Sequence, residues 1–185
     1  EHRNKLYSPT ESQDAKLRSK YLLRLHYQWA NVRERGLWHS KRVEANESPD
    51  KFLVVSLDGT DQFPYGLPHF REHTKKEGNN IRLKLSMQIA LVEGQPPIFY
   101  LAWEHLYGDP NWTIETLYRQ LKEEETRRGG KLPPTLYLQL DNCIRENKNT
   151  YVICWLAWLV ERGVFIEIFL SFLPVGHTHF INDQV

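Results

Sequence analysis

The stretch Leu136-Tyr137-Leu138-Gln139-Leu140-Asp141-Asn142 decides the fold class that we predict for this chain. Its apolar run lies between prolines and a polar Asp-Asn pair, which is typical of a short buried β-strand. Open α/β sheets place their chemistry at the carboxyl ends of central strands, where Asp141 falls. The stretch Phe52-Leu53-Val54-Val55-Ser56-Leu57-Asp58-Gly59 has the same design. If the two strands are parallel neighbours, Asp58 and Asp141 meet at one edge of the sheet.

The composition indicates one globular domain and argues against a secreted disulfide-rich protein and against a membrane-spanning protein. The chain has 185 residues, of which 41% are hydrophobic and 25% charged, and its net charge of +1 gives no global signal for nucleic acid. Its two cysteines, Cys143 and Cys154, do not resemble a secreted disulfide framework, so we expect reduced thiols in an intracellular protein. The N-terminus does not resemble a signal peptide. The longest apolar run, at 151–160, is too short to span a bilayer, so we expect no membrane partner.

Residues 1–50 are predicted to form a helical arm followed by a linker. From about Ser12 to Arg35 the apolar residues recur at helical spacing. They are Leu17, Tyr21, Leu25, Trp29 and Val32. The basic residues of this helix lie mostly off that stripe, so the helix either contacts a phosphate backbone or presents an ordinary solvated face. Residues 40–50 are interpreted as the linker into the first strand.

The order of elements after residue 51 predicts a mixed α/β sheet. Strand two, at 81–91, alternates with period two, and we expect its odd-numbered apolar residues to be buried and its even-numbered residues to face solvent or be thinly covered. A turn at 93–97 makes strands two and three a hairpin. Strands four and five follow helical crossovers, which makes them parallel to strand one. The predicted sheet has five strands in the order 3-2-1-4-5, with helices on both faces and a further helix at the end.

Neighbouring carboxylates at one edge of this sheet predict a divalent metal site. Two carboxylates repel each other unless a cation joins them, and hard oxygen ligands suit Mg²⁺ or Mn²⁺. Two such ions, about 3.5–4 Å apart, stabilise the attacking and leaving oxygens in phosphodiester chemistry. That mechanism needs a third acidic group, and Asp183, after strand five, is the candidate. For each aspartate taken singly, the alternative is a turn or a helix cap.

Three segments carry a resemblance to a known family. They are Ser-Leu-Asp-Gly-Thr-Asp-Gln (56–62), Leu-Gln-Leu-Asp-Asn-Cys-Ile-Arg-Glu-Asn-Lys-Asn (138–149), and Val-Gly-His-Thr-His (175–179) with Asp183-Gln184. These segments resemble an uncharacterised transposase-like domain family of eukaryotic transposon-derived proteins. The order of elements resembles the RNase H-like fold of DDE/DDD transposases and retroviral-type integrases. The resemblance covers the chain from about residue 50 to the end.

This resemblance implies an RNase H-like catalytic core at 51–185, truncated at its last helix. It implies a metal-dependent polynucleotidyl transferase or nuclease that cuts and joins DNA with two Mg²⁺ or Mn²⁺ ions. Asp58, Asp141 and Asp183 would then be the catalytic residues and metal ligands. A homo-oligomeric strand-transfer complex and a nuclear location are further expectations. The alternative is a catalytically silent descendant that binds DNA or protein through the same fold.

Other polar residues are candidates for supporting the metal ligands or contacting DNA. They are Asp61, Gln62, Asn142, Lys148, His177 and His179. Lys148 either helps its asparagine neighbours to cap the next helix or reaches a phosphate. The two histidines bind a transition metal, contact DNA, or hydrogen-bond their own loop.

Two other enzyme classes are less well supported. An RNase H-like exonuclease would need a second acid soon after the first, and Asp61 has the wrong parity for the same strand face. A Ser or Cys hydrolase is disfavoured because the chain has no Gly-x-Ser-x-Gly elbow and Cys143 has no evident histidine partner.

Overall fold

The structure is a computed structural model, and it describes residues 12–29, 35–59, 85–103 and 108–172. Over these ranges the chain forms α1 (Gln13–Gln28), α2 (Gly36–Glu47), β1 (Phe52–Gly59), β2 (Leu85–Val92), β3 (Ile98–Trp103), α3 (Pro110–Arg127), β4 (Thr135–Leu140), α4 (Thr150–Glu161) and β5 (Glu167–Phe172). The chain divides into two compact units, Glu1–Val43 and Glu44–Val185, and the second unit holds the whole sheet.

The five strands form one mixed sheet in the order β3-β2-β1-β4-β5, which confirms the predicted order. β1 pairs antiparallel with β2 and parallel with β4, while β3 and β5 complete the two edges. The central strand β1 therefore joins an antiparallel hairpin to a parallel pair. The carboxyl ends of β1, β4 and β5, at Gly59, Leu140 and Phe172, lie along one edge of the sheet. We call this edge the rim.

One face of the sheet carries the main hydrophobic core. Helices α3 and α4 both pack on this face, through Leu117 and Leu121 from α3 and through Val152, Leu156 and Leu159 from α4. The sheet contributes Leu53, Val55, Leu57, Ala90, Val92, Leu136, Leu138 and Leu140. On the opposite face, the hydroxyl of Tyr137 donates to Glu44 Oε2 at 3.2 Å. Helical cover of that second face stays a prediction.

The burial of β2 differs in part from the prediction made from its alternation. Of the odd-numbered residues in β2, Ile89 is buried as predicted, but Leu85, Met87 and Leu91 are only partly buried. The even-numbered residues are all buried, and they are Ser86, Gln88, Ala90 and Val92. The even-numbered face lies under α3, whose inward side includes the buried polar residues Thr113, Thr116 and Gln120 beside its leucines. Gln88 Nε2 donates to Thr113 Oγ1 of that helix at 3.4 Å, so a polar strand residue is accommodated in the interior. Alternation showed that the two faces differ in polarity, but a helix covers the polar one.

The predicted linker at 40–50 is largely helical. Helix α2 continues to Glu47, and a turn at 48–51 then leads into β1. Residues 40–47 contain neither glycine nor proline, so nothing in them stops a helix before Pro49. In the N-terminal unit the predicted apolar stripe is exposed, since Leu17, Tyr21, Leu25 and Trp29 are 43–63% accessible to solvent. Val32 lies outside the described residues.

Tyr100 of β3 gives a prediction about stability at alkaline pH. Its hydroxyl donates to Gln120 Oε1 at 3.0 Å. Burial, followed by the charge of Glu123, raises the pKa of the phenol to about 12. The stability contributed by the neutral phenol is therefore present below the unfolded pKa of about 10 and lost as the pH rises toward 12.

We expect the unfolding free energy of Tyr100→Phe to fall less steeply with rising alkaline pH than that of the wild type. Urea unfolding at about pH 8 and about pH 11 measures the effect. Tyr118→Phe, at an exposed tyrosine of α3, is the matched control. If the unfolding free energy falls as steeply with pH in Tyr100→Phe as in the wild type, the alkaline loss does not come from Tyr100.

Candidate active site

Asp58 and Asp141 occupy neighbouring positions on the rim. The parallel register pairs Leu57 of β1 with Leu140 of β4, and each of the two aspartates directly follows its member of this pair. Asp58 is buried, with 8% of its surface accessible, whereas Asp141 is partly exposed. The pairing of the strands thus brings one carboxylate from each of two adjacent parallel strands to the same edge of the sheet.

The other residues that the sequence points to divide between described and undescribed parts of the chain. Outside the described residues lie Asp61, Gln62, His177, His179 and Asp183. Asn142 follows Asp141 and is partly exposed. Lys148 is exposed, and its Nζ lies 5.4 Å from the centre of the Phe172 ring, a cation–π contact that places the ammonium group near the end of β5.

The turn at 143–149 connects the rim to α4. The backbone N–H groups of Asn147 and Lys148 both donate to the carbonyl of Cys143, at 2.8 and 2.9 Å. Asn149 caps α4, because its Oδ1 accepts from the backbone N–H of Val152 at 3.1 Å. This confirms the prediction that one of the asparagines after strand four caps the following helix.

Helix α3 also begins beside the rim. Its N-cap Asp109 accepts from the backbone N–H of Trp112 at 3.0 Å. Because the N-terminus of a helix carries partial positive charge, the first turns of α3 and α4 favour anions such as phosphate groups in their vicinity.

A cavity of about 230 Å³ opens at the rim beside Asp141. It lies between Gln88 of β2, Trp112 of α3, and Asp141, Cys143, Glu146 and Asn147 around the turn. Glu146 accepts from Arg145 Nη2 through Oε1 at 2.8 Å, and this hydrogen bond raises the pKa of the Arg145 guanidinium. The cavity therefore has two carboxylates in its wall, and one of them has a guanidinium partner.

A buried hydrogen-bond relay supports the wall of this cavity. Gln88 Nε2 donates to Thr113 Oγ1 at 3.4 Å, and Thr113 Oγ1 donates to Asn147 Oδ1 at 2.8 Å. A hydroxyl has one hydrogen, so Thr113 can only accept from Gln88 once it donates to Asn147. This fixes the orientation of the Gln88 amide. Its Oε1 has no hydrogen-bond partner among the described residues, although only 3% of Gln88 is accessible to solvent.

Residues 75–185, more than half of the chain, match the model of a protein family described as a domain of unknown function, DUF7869. The chain belongs to the DUF7869 family. No curated protein and no solved structure matches it. The matched segment includes Asp141 and the turn at 143–149, but it begins after β1 and Asp58.

The segment that matches DUF7869 does not include the whole sheet, because it begins after β1. Strand β1 lies between β2 and β4, both of which are inside the matched segment, and it pairs with each of them. The folding unit that contains the DUF7869 segment therefore also includes β1, and with it Asp58.

Three further findings concern ligands and environment. Within the described ranges, no three side chains of His, Cys, Asp or Glu form a group that could hold a metal ion. The helices described in this DUF7869 protein include none that is long and apolar enough to cross a bilayer. Cys143 and Cys154 do not form a disulfide in this structure.

Proposed function

We propose that this DUF7869 protein is the metal-dependent nuclease or polynucleotidyl transferase core of a transposase-like protein, with an RNase H-like fold. One observation carries the proposal. The register of β1 and β4 sets Asp58 and Asp141 side by side at the carboxyl ends of adjacent parallel strands. The strand order β3-β2-β1-β4-β5, a hairpin followed by parallel strands, agrees with the RNase H-like assignment.

The donor set at this position fits a hard divalent cation. Asp58 and Asp141 supply carboxylate oxygens, which Mg²⁺ and Mn²⁺ prefer, and Asp183 is the proposed third ligand. When bound, two such ions would stabilise the charge that develops on the attacking and leaving oxygens of a phosphodiester. The residues of the chain would hold and orient these ions at the rim.

The proposed substrate is DNA. The N-termini of α3 and α4 lie beside the rim, where their dipoles favour phosphate groups, and Lys148 adds an exposed positive charge near the end of β5. The resemblance to transposases further suggests a homo-oligomeric strand-transfer complex and a nuclear location, which belong to the same proposal.

The test measures Mn²⁺ binding by calorimetry and Mn²⁺-dependent cleavage of a DNA oligonucleotide. We expect Asp58→Asn and Asp141→Asn each to abolish measurable Mn²⁺ binding. Cleavage should fall on the order of a hundredfold or more, because several kcal/mol of transition-state stabilisation are lost. Asp50→Asn, at an exposed aspartate before the opposite end of β1, is the matched control and should behave as wild type. A wild-type chain that binds no Mn²⁺, even with DNA present, would contradict the catalytic proposal and favour a silent binding module.

A further inference from the structure

We infer that two copies of this chain pair through the outer edges of their β3 strands, antiparallel, so that their two sheets join into one. Strand β3 (Ile98–Trp103) lies at the edge of the sheet, because it pairs with β2 on one side and no other described strand pairs with it. The pairing needs no metal ion and neither Asp58 nor Asp141. This interface therefore goes beyond the proposed function, and it can exist whether or not the protein cleaves DNA.

The edge of β3 has none of the features that commonly keep an edge strand from pairing. An exposed edge presents backbone N–H and C=O groups, and proteins usually block it with a charged side chain, a proline or a bulge. The six residues of β3, Ile-Phe-Tyr-Leu-Ala-Trp, include no charge, proline or glycine. The register with β2 runs without interruption over all six, so β3 has no bulge. Its outer backbone groups are therefore available to another strand.

The same strand exposes a row of large apolar side chains. Phe99, Leu101 and Trp103 alternate along β3 and therefore lie on one face of the sheet, where they are 46%, 62% and 53% exposed. Their partners on β2 are also apolar, and they are Ile89, Met87 and Leu85. Contiguous exposed apolar surface of this kind marks an interaction site, because its burial is favourable.

The order of these side chains favours a second copy of the chain as the partner. Phe99 and Trp103 lie two residues before and two residues after Leu101. In an antiparallel pair centred on Leu101, each Leu101 lies opposite its own copy, and Phe99 of one chain lies opposite Trp103 of the other. Opposed aromatic side chains stabilise antiparallel strands. The two-fold axis through Leu101 uses both edges, so the assembly closes at two chains.

The other face of β3 and the nearby charges are compatible with this register. Tyr100 would lie opposite Ala102, so a large side chain meets a small one, and neither is charged. The charges of α3 close to Tyr100 have both signs, since Glu123 raises and Arg119 lowers the pKa of its phenol. Two copies therefore meet without an excess of like charge, which would oppose their association.

The first experiment measures the mass of the whole chain in solution by sedimentation equilibrium. We expect the wild type at micromolar concentration to form a particle of twice the 22.0 kDa of one chain. Leu101→Lys should weaken the dimer about tenfold or more, because two lysines would face each other at the axis. Ile166→Lys, at a 78% exposed isoleucine beside the opposite edge of the sheet, is the matched control and should leave the dimer unchanged.

The second experiment tests the register and does not depend on the folding of Leu101→Lys. Opposed residues of antiparallel strands have Cα atoms about 4.5–5.5 Å apart, a separation that a disulfide spans. The background is Cys154→Ser, which removes the exposed native thiol. In it, Leu101→Cys should give a covalent dimer when diamide oxidises the two opposed thiols. Ile166→Cys in the same background is the control and should give none.

A wild-type chain that stays monomeric would overturn the inference. A dimer that Leu101→Lys leaves intact, and that Leu101→Cys does not cross-link, would place the contact between copies elsewhere and would also overturn it. Particles larger than a dimer would contradict the two-fold pairing. Asp58→Asn should leave the dimer unchanged, so the interface and the proposed function can fail separately. A dimer that binds no Mn²⁺ would refute only the nuclease, and DNA cleavage by a monomer would refute only the interface.

Discussion

We expect a chain of residues 75–185, the segment matched by DUF7869, to show no cooperative unfolding, whereas residues 44–185 unfold in one transition. The difference between the two chains includes β1. This strand pairs with β2 on one side and with β4 on the other, and β2 and β4 do not pair with each other. Without β1 the sheet separates into two pairs of strands, each with a new unpaired edge.

The magnitude of the loss supports this expectation. Leu53, Val54, Val55 and Leu57 of β1 are each at most 3% exposed. Full burial of one such side chain contributes about 1.5–3 kcal/mol, so the four together contribute roughly 6–12 kcal/mol. The total stability of a domain is only about 5–15 kcal/mol. Deleting β1 therefore removes an amount comparable to the whole free energy of unfolding.

Urea unfolding followed by circular dichroism distinguishes the two chains, with residues 1–185 as the reference. A 75–185 chain with native-like β signal and a single sharp transition would contradict the central role of β1. A 44–185 chain that fails to fold would instead show that the sheet depends on residues before Glu44.

The strand order was predictable because it follows from local and topological rules. A short turn at 93–97 allows only a hairpin, and a strand after a helical crossover is parallel to its neighbour. The adjacency of Asp58 and Asp141 follows from the same rules, since each aspartate lies at the carboxyl end of its strand and the two strands are parallel neighbours. These parts of the candidate site needed no knowledge of side-chain packing.

The rest of the site depends on packing that the sequence does not show. Gln88 was predicted to lie on a wet or thinly covered face because apolar and polar residues alternate around it, yet α3 covers it. Glu146 stands in a turn, and its carboxylate lies against Gly108, a residue far away in sequence. One sequence signal would have indicated this burial. It is a polar residue in a strand that faces threonines and a glutamine on the inward side of a helix.

Glu124 is the site of the second large effect. Its side chain is fully buried at the end of α3 that is distant from the rim. Gln95 Nε2 donates to Oε1 at 2.6 Å, while Arg127 Nη2 and Arg128 Nε donate to Oε2 at 2.7 and 3.2 Å. Arg128 also donates to the carbonyl of Pro49 at 2.7 Å. One carboxylate thus connects α3, the β2–β3 turn and the turn that precedes β1.

We expect Glu124→Ala to lower the free energy of unfolding by about 3–5 kcal/mol, because it leaves buried donors and charge without their partner. Urea unfolding at neutral pH measures this loss. Glu125→Ala removes a partly exposed neighbour that pairs with Lys122 at 2.7 Å, and as the matched control it should cost about 0.5 kcal/mol or less. A loss below about 1 kcal/mol in Glu124→Ala would show that the buried network is not a main source of stability.

The pH dependence of Glu124 gives an independent check on the same network. Burial alone would raise the pKa of this carboxyl group, but the hydrogen bonds from Arg127, Gln95 and Arg128 outweigh it and hold the pKa below the ordinary value. A lowered folded pKa stabilises the protein above the unfolded pKa of about 4.3, and this contribution is lost as the pH falls through the folded value. Glu124→Gln keeps the shape of the side chain but cannot ionise, so its unfolding free energy should fall less steeply below about pH 4.3 than that of the wild type. If the two acid profiles run parallel, the pKa of Glu124 in the native state is not lowered, and the loss in Glu124→Ala must arise from packing instead.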